Sequence, residues 1–378
     1  MPYKSYLPTA LFNGTEFLYN HTITVTSEGV VHAIEPEQNV PDAVKMDGII
    51  CAAFVNAHCH LELSHLHQII PQKTGLVGFI EQILACRQAD DTLISKAALQ
   101  ADGAMYVQGI QAVVDISNTA ITAPIKKQSS VRYYTCVETS GFHPAIAETR
   151  FTVAEQVWQL FTEHGLLAGI VPHAPYSVST ELFQLIRQAG AALQSIHNQE
   201  TAAEHRFFME KQGDFLQLYQ HLGVSLEHFS ASGKSSIETI TPQLATDRPF
   251  ILVHNTFTTE EDVAFIKNHF AQPYFCICAN ANLYIENSLP NIPLLVSSAI
   301  PLLLGTDSLA SNHTLSIAEE IKTLTQFFPE ISLQVWLQAA TYNGARAMGL
   351  EHELGKLAVG KQPGIVCLHP NFSVTRLA

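Results

Sequence analysis

The sequence is poor in charge, and poorest in positive charge. Of its 378 residues only 14% are charged, and 20 Lys and Arg stand against 34 Asp and Glu, for a formal net charge of −14. Nucleic-acid phosphates and anionic membrane surfaces are bound by clustered Lys and Arg. We therefore expect no nucleic-acid partner and no membrane partner, and a small molecule as the substrate.

Long uninterrupted apolar runs are also missing. The most apolar late stretch, residues 289–304, is broken by three prolines and two serines and is too interrupted to span a bilayer. The first residues contain no apolar signal-peptide core. Seven cysteines without framework spacing do not predict disulfides. These features favour a cytoplasmic protein.

Apolar residues make up 47% of the chain, which suits a buried sheet wrapped by helices. Residues 1–50 alternate between apolar and polar positions and contain turn signals, so they predict short strands. From residue 51 onwards, apolar runs of strand length alternate with amphipathic helical stretches. That alternation is typical of a parallel sheet.

Eight of these runs predict strands, and eight favour a closed (β/α)8 TIM barrel over an open sheet. The runs are 49–57, 112–117, 132–137, 167–171, 193–196, 250–253, 274–278 and 301–305. Residues 225–248 predict an insertion or long loop near the barrel mouth, and helices are expected at 153–164, 180–189 and 260–270. Residues 365–368 predict a strand that returns to the N-terminal sheet. We expect a barrel over 51–354 and a small domain from 1–50 plus 355–378.

Histidine or aspartate follows five of the eight runs. In a TIM barrel the active site lies at the carboxyl ends of the strands, so this pattern directs six side chains to one mouth. They are His58, His60, His173, His197, His254 and Asp307. Any one of them alone is readily explained as a structural residue. Their joint occurrence at strand ends favours a functional site.

Four of these side chains predict a metal centre. His58 and His60 are two residues apart and so point to the same side of a strand. The interpretation of His197 as a ligand is strengthened by Glu200, because one helical turn would bring Glu200 back beside His197. Asp307 follows an apolar run, and a buried carboxylate needs a metal or a cationic partner.

Three neutral histidines and a carboxylate suit a zinc ion, with iron also open, and leave a position for water. Such an ion lowers the pKa of its water towards ~7 and so makes hydroxide available at neutral pH. Glu200 and His254 are placed to carry protons close to the ion, and Asp307 to accept a hydrogen bond from the water.

Five motifs, in order along the chain, resemble the amidohydrolase superfamily. They are NAHCHLE (56–62), PHAPYS (172–177), HNQE (197–200), VHN (253–255) and LGTDS (304–308). The resemblance is to the branch of adenosine and S-adenosylhomocysteine deaminases, guanine deaminase and triazine chlorohydrolases. The compact length and the segments HLELS (60–64) and GTDSLASN (305–312) are most similar to the aminodeoxyfutalosine deaminases of menaquinone synthesis.

The resemblance implies a TIM barrel with a small β-sandwich built from both chain ends. It also implies one divalent metal ion, because the fourth strand ends without the lysine that bridges two metals in other members. The implied metal ligands are His58, His60, His197 and Asp307; the catalytic residues are Glu200, His254 and Asp307; the substrate contacts are His173 and Ser308. After the seventh strand, residues 278–282 differ from the family's usual Cys-Pro-x-Ser-Asn.

The implied function is a hydrolase of C–N bonds that deaminates an aminated purine, specifically the adenine ring of a modified nucleoside such as aminodeoxyfutalosine. Cyclic-amide (imidazolone-type) hydrolysis, guanine deamination and triazine-type dechlorination stay open as alternatives, as does ligand binding without turnover. Arg87, Arg132 and Arg150 are all candidates to receive a substrate carboxylate. Relatives are often homodimers, so a homodimer is also implied.

Overall fold

The computed structural model describes residues 3–378, which form strands and helices in the alternation expected from the sequence. The strands are β1 (Tyr3–Phe12), β2 (Phe17–Leu18), β3 (His21–Thr26), β4 (Val31–Pro36), β5 (Val44–Ala52), β6 (Phe54–Cys59), β7 (Ile110–Ser117), β8 (Arg132–Thr139), β9 (Leu167–Pro172), β10 (Gln194–Asn198), β11 (Pro249–His254), β12 (Gln272–Ile277), β13 (Leu302–Leu304), β14 (Ile365–Leu368) and β15 (Val374–Arg376).

The helices cover the segments between the later strands. They are α1 (Gly75–Cys86), α2 (Asp91–Val107), α3 (Ala123–Gln128), α4 (Ala147–Glu163), α5 (Thr180–Ala189), α6 (Ala202–Glu210), α7 (Asp214–His221), α8 (Ser236–Ile240), α9 (Glu260–His269), α10 (Ala279–Ile285), α11 (Ile292–Ser297), α12 (Ile317–Phe327), α13 (Leu333–Gln338) and α14 (Gly344–Ala347). Within residues 3–378, no helix combines the length and hydropathy that a bilayer span requires.

Both ends of the chain build one seven-stranded sheet in the order β15-β14-β5-β1-β3-β4, with β2 paired to β1. β14 lies antiparallel to β5, with Ile365 opposite Ala52. The predicted return of residues 365–368 to the N-terminal sheet is therefore confirmed. Apolar side chains from the two ends, among them Leu11, Ile50 and Ile365, pack into one buried cluster beneath this sheet.

Strands β6 to β13 form two parallel four-stranded sheets, β6-β7-β8-β9 and β10-β11-β12-β13. Each of the eight predicted runs overlaps one of these strands, so the expected α/β architecture with parallel strands is confirmed. Backbone hydrogen bonds connect the sheet edges: His197 N–H donates to His173 O at 2.9 Å, and Thr306 N–H donates to His58 O at 3.0 Å. Alternate residues of both sheets, including Val114, share one buried core.

Three predictions differ from the structure by more than a shift of one or two residues at an element's end. The run 49–57 contains the end of β5 and the start of β6, because the chain passes from one sheet to the other at Ala53, whose N–H donates to Gly364 O. Both strands are buried there, so the apolar pattern does not reveal the break. Helix α4 begins at Ala147, ahead of the expected start. Residues 225–248 include α8, whose Ser235 and Glu238 form a capping box, a helix signal within a Ser-rich stretch.

Replacement of Gly344 by Ala should destabilise the fold. A Cβ at Gly344 in α14 would lie 2.7 Å from the Cβ of Val55 on β6, so the helix or strand must shift, at a cost of about 1–3 kcal/mol. Gly103→Ala, in the interior of α2 with no atom within 4 Å of the new Cβ, is the matched control and should gain about 0.5–1 kcal/mol. Urea unfolding of both variants measures the difference, and equal stabilities would contradict the packing described.

Candidate active site

A cavity of about 630 Å³ opens where the carboxyl ends of the parallel strands meet. Its polar end is formed by strand-end side chains. The walls farther out are apolar and come largely from α1 and α7. The polar lining includes His60, Glu138, His173, His197, Glu200, His254 and Asp307, and the apolar lining includes Leu76, Phe79, Ile80, Ile83, Leu218 and Leu222.

The four residues predicted to bind a metal converge at the polar end. One potential ligand atom from each of His58, His60, His197 and Asp307 lies within 4.8 Å of the other three. The Nε2 atoms of His58 and His60 are 3.2 Å apart, and Asp307 Oδ1 lies 3.6 Å and 3.3 Å from them. Residues that are up to 249 positions apart in sequence thus form one compact donor set.

Burial keeps two histidines of this set, His60 and His197, in their metal-binding form. Burial lowers the pKa of His60 to about 4 and holds the pKa of His197 well below its usual range, with neighbouring histidines adding to the effect. Burial alone would raise the pKa of Asp307, but its contacts with the His58 and His60 rings lower it overall. Neutral imidazoles beside an ionised carboxylate are the protonation states that a divalent metal requires.

Hydrogen bonds outside the set orient two of its members. The Nδ1–H of His197 donates to His173 O at 2.9 Å, so Nε2 of His197 keeps its lone pair. The Ser311 hydroxyl donates to Asp307 Oδ2 at 2.6 Å, leaving Oδ1 for the histidines. Asp307 has a left-handed φ of 57°, and His254 one of 72°. Backbone strain of this kind is retained where the surrounding structure enforces it, often at functional sites.

His254 and Glu200 form a pair suited to proton transfer. The Nδ1–H of His254 donates to the Asn282 side-chain oxygen at 2.7 Å, and the buried Nε2 has no hydrogen-bond partner among the described residues. This Nε2 is 3.6 Å from Glu200 Oε1. Burial, together with the nearby Asp307 carboxylate, raises the pKa of Glu200 well above its ordinary value.

The expectation that a helical turn returns Glu200 to His197 is wrong. Helix α6 begins only at Ala202, and Gln199 has a left-handed φ of 48°. It is this turn at Gln199 that brings Glu200 into the cavity wall. Glu204 of α6 stabilises the turn by accepting the Gln199 N–H at 3.2 Å.

The other predicted contact residues divide between the cavity and the far end of the strands. His173 and Ser308 both line the cavity, and the His173 ring bonds to the Ser177 hydroxyl at 2.7 Å. Arg87 and Arg150 also line it. Arg132 starts β8, at the opposite end of the strand, and pairs with Glu353 at 2.6 Å, so it is not among the lining residues.

Glu138 and Asn118 are polar lining residues that were not identified from the sequence, and neither was Asn282, which orients His254. Glu138 lies near the end of β8, with Oε1 3.5 Å from His197 Nδ1. Asn118 follows β7 and donates to the Glu138 carbonyl and carboxylate at 3.0 Å and 3.3 Å. The available signal was their position: both stand where a predicted strand ends, as the six noted side chains do.

A buried ion pair anchors the segment that carries His60. Asp115 Oδ1 accepts the N–H of Leu61 at 2.8 Å, and its Oδ2 lies 2.6 Å from Lys126 Nζ. Both charged side chains are fully buried, and Lys126 also donates to Ser117 and Thr135. The backbone immediately after His60 is therefore fixed to β7.

The family model described as Amidohydrolase family matches residues 49–377. The chain belongs to the amidohydrolase family. It is 24% identical to an adenosine deaminase of Helicobacter pylori over 337 residues, covering 87% of this chain and 81% of that protein. It is 27% identical to an aminodeoxyfutalosine deaminase of Deinococcus radiodurans over 357 residues, covering 86% and 81%.

A solved structure shares the fold of this amidohydrolase. The crystal structure of H. pylori aminofutalosine deaminase in complex with methylthio-coformycin superposes with a TM-score of 0.80 at 20% identity, covering 97% of this chain and 92% of that one. The family model over residues 49–377 confirms the superfamily resemblance inferred from the five motifs.

Replacement of Lys126 by Met should destabilise the protein strongly, because Asp115 would remain as a buried, uncompensated charge. The expected loss is about 3–5 kcal/mol of unfolding free energy. Lys322→Met, which removes a half-exposed i,i+3 pair with Glu319, is the matched control and should cost at most about 0.5 kcal/mol. Chemical denaturation of both variants tests this, and similar losses would show that the buried pair does not anchor the site.

Proposed function

We propose that this amidohydrolase is a metal-dependent hydrolytic deaminase of the adenine ring of a modified nucleoside. One observation carries the proposal. A carboxyl group with a raised pKa, Glu200, lies 3.6 Å from an unpartnered imidazole nitrogen of His254, directly beside four convergent metal-ligating side chains. Hydrolytic deamination needs one group that accepts a proton from water and one that donates a proton to the ring.

The donor set fits a single divalent ion, zinc or iron. Two Nε2 atoms 3.2 Å apart and a carboxylate oxygen 3.3 Å from one of them concentrate lone pairs at one point, an arrangement that a cation would stabilise. His58, His60, His197 and Asp307 would hold the ion. When bound, it would supply Lewis acidity that lowers the pKa of water towards ~7.

Two side chains, His254 and Glu200, then carry out the proton transfers. His254 Nε2 accepts a proton from the attacking water, and Asn282 keeps its other nitrogen protonated so that Nε2 is free to do so. Glu200 donates its proton to the ring nitrogen next to the attacked carbon. Charge on the ring is thereby neutralised as the new C–O bond forms. Water adds to this carbon and the C–N bond breaks. The amino group takes the proton held by His254 and leaves as ammonia, while the proton of the new hydroxyl returns to Glu200 and the oxo-purine keeps the proton on its ring nitrogen.

The outer cavity supports a nucleoside with an apolar arm that ends in a carboxylate, such as aminodeoxyfutalosine. Apolar side chains of α1 and α7 would be left uncovered by adenosine alone. Arg87 is already held by the Asn118 side chain at 2.8 Å and lies 3.5 Å from Glu62. Arg150 lines the cavity and forms no ion pair within the described part of the chain. Arg150 is therefore the proposed receptor for the carboxylate.

We also propose that the two four-stranded sheets form one closed TIM barrel over residues 51–354, with a small β-sandwich domain from 1–50 and 355–378. The hydrogen bonds from His197 to His173 and from Thr306 to His58, one at each junction of the two sheets, support closure. A homodimer and a cytoplasmic location stay predictions.

Zinc-loaded protein should release ammonia from adenine nucleosides, with a higher kcat/KM for aminodeoxyfutalosine than for adenosine. S-adenosylhomocysteine and guanine complete the panel, and the ultraviolet shift of the purine is followed in parallel. Glu200→Gln should lower kcat by about 10²–10⁴-fold, the usual value of general acid–base catalysis. Glu210→Gln, at the exposed end of α6, removes the same charge and should leave kcat unchanged.

Absence of ammonia from every purine, with the protein fully metal-loaded, would contradict the deaminase proposal. Opening of a cyclic imidazolone without ammonia release would show that the site catalyses cyclic-amide hydrolysis instead. Equal kcat/KM for adenosine and aminodeoxyfutalosine would support deamination of adenine but contradict the proposal that the substrate has a carboxylate-bearing arm.

A further inference from the structure

Glu138 is a buried carboxylate on the cavity wall to which the proton transfers above give no role. It is 9% exposed and projects from the penultimate position of β8. Its Oε2 accepts a hydrogen bond from Asn118 Nδ2 at 3.3 Å. Its Oε1 lies 3.5 Å from His197 Nδ1, but that N–H already donates to His173 O at the shorter distance of 2.9 Å. Oε1 therefore retains unused acceptor capacity towards the cavity.

His173 presents a second acceptor beside Glu138. The Ser177 hydroxyl donates to Ala174 O at 3.1 Å, so it accepts from His173 Nδ1 at 2.7 Å. The proton of the neutral ring then sits on Nδ1, and Nε2 carries the lone pair. Potential donor atoms of Glu138, His173 and His197 lie within 4.8 Å of one another. The β8–β9 side of the cavity thus offers hydrogen-bond acceptors in close proximity.

The chemistry of a purine nucleoside decides what such a wall would bind. The unsubstituted purine ring nitrogens are acceptors and would be repelled by a carboxylate. The amino group is a donor, but it sits on the carbon under attack, next to Glu200 and His254. The remaining donors are the hydroxyl groups of the sugar. A buried carboxylate with an unfilled acceptor is unfavourable until such a donor reaches it.

We propose that Glu138, with His173 beside it, binds the sugar hydroxyls of the substrate and so fixes the direction in which the nucleoside lies. This inference rests on the proposed deaminase function. The purine would contact Glu200 and His254, from the β10 and β11 ends, and the sugar would lie against β8 and β9. Any substituent of the sugar would then extend towards the apolar wall formed by α1 and α7.

A second metal ion held by Glu138, His173 and His197 is a weaker explanation of the same cluster. His197 would have to lose its Nδ1 proton and with it the hydrogen bond to His173 O. That hydrogen bond also orients His197 towards the first donor set. A sugar hydroxyl, by contrast, can donate to Glu138 Oε1 without disturbing either contact.

The test compares zinc-loaded wild type with Glu138→Gln, using binding as well as turnover. The dissociation constants of inosine and 2′,3′-dideoxyinosine are measured by calorimetry, and kcat/KM is measured for adenosine and 2′,3′-dideoxyadenosine. Wild type should prefer the hydroxyl-bearing compound by about 10–100-fold in both readouts, as expected for hydrogen bonds to a charged acceptor.

Glu138→Gln should lose most of this preference and keep its metal content. Glu163→Gln, an exposed change of equal charge on α4, should behave as wild type.

The outcomes separate this inference from the deaminase proposal. Turnover of adenosine without a preference for the hydroxyl groups would overturn the role of Glu138 alone. A preference in binding without any turnover would support Glu138 and contradict the deaminase. A preference that survives in Glu138→Gln would overturn the inference. So would failure of inosine to bind wild type, or two metal ions per wild-type chain falling to one in the variant.

Discussion

Two backbone hydrogen bonds to the carbonyl oxygen of His58, from the N–H groups of Thr306 and Asp307, connect the first and last of the eight parallel strands. The rest of the site depends on this contact, because it brings Asp307 within 3.6 Å of the His58 ring. Asn56 reinforces it by donating to the Thr306 hydroxyl at 2.7 Å. Gly305 is required beside it, since a Cβ there would lie 2.8 Å from that of His58.

The same region concentrates buried acids in a chain that is already acidic. Burial raises the pKa of Glu204 and of Glu320 to about 7, and it also raises the pKa of Glu200 well above its usual range. Glu320 accepts from Asn312, which also donates to the carbonyl oxygen of Thr306 next to Asp307. Glu204, which accepts the Gln199 N–H, and Glu320 therefore hold the strand ends in place, and a divalent cation would offset part of the electrostatic cost of the buried acids. Left-handed backbone at His254 and Asp307 adds local strain, a common cost of a functional site.

The sequence allowed the parallel-strand architecture to be predicted because its strands are continuous apolar runs that end in polar residues. The metal-ligand cluster followed from the same signal, since carboxyl ends of parallel strands meet on one side of the fold. The pattern could not reveal the transfer between sheets at Ala53, because both flanking strands are buried. Asn282 has no diagnostic spacing, and only the fold brings it against His254. The one signal for Glu138 was its position after a predicted strand, and only the fold shows that it lies beside His197. The left-handed turn at Gln199 leaves no local sequence signature such as Gly.

The central claim is that four side chains from three strand ends form one metal site. Anomalous diffraction at the zinc edge, from crystals of the protein purified with zinc, tests it most directly. The account predicts one anomalous peak per chain, bounded by the Nε2 atoms of His58, His60 and His197 and by Oδ1 of Asp307, at about 2.0–2.2 Å from each. A zinc-replete protein with no peak among these atoms, or with its only peak between Glu138 and His173, would contradict it.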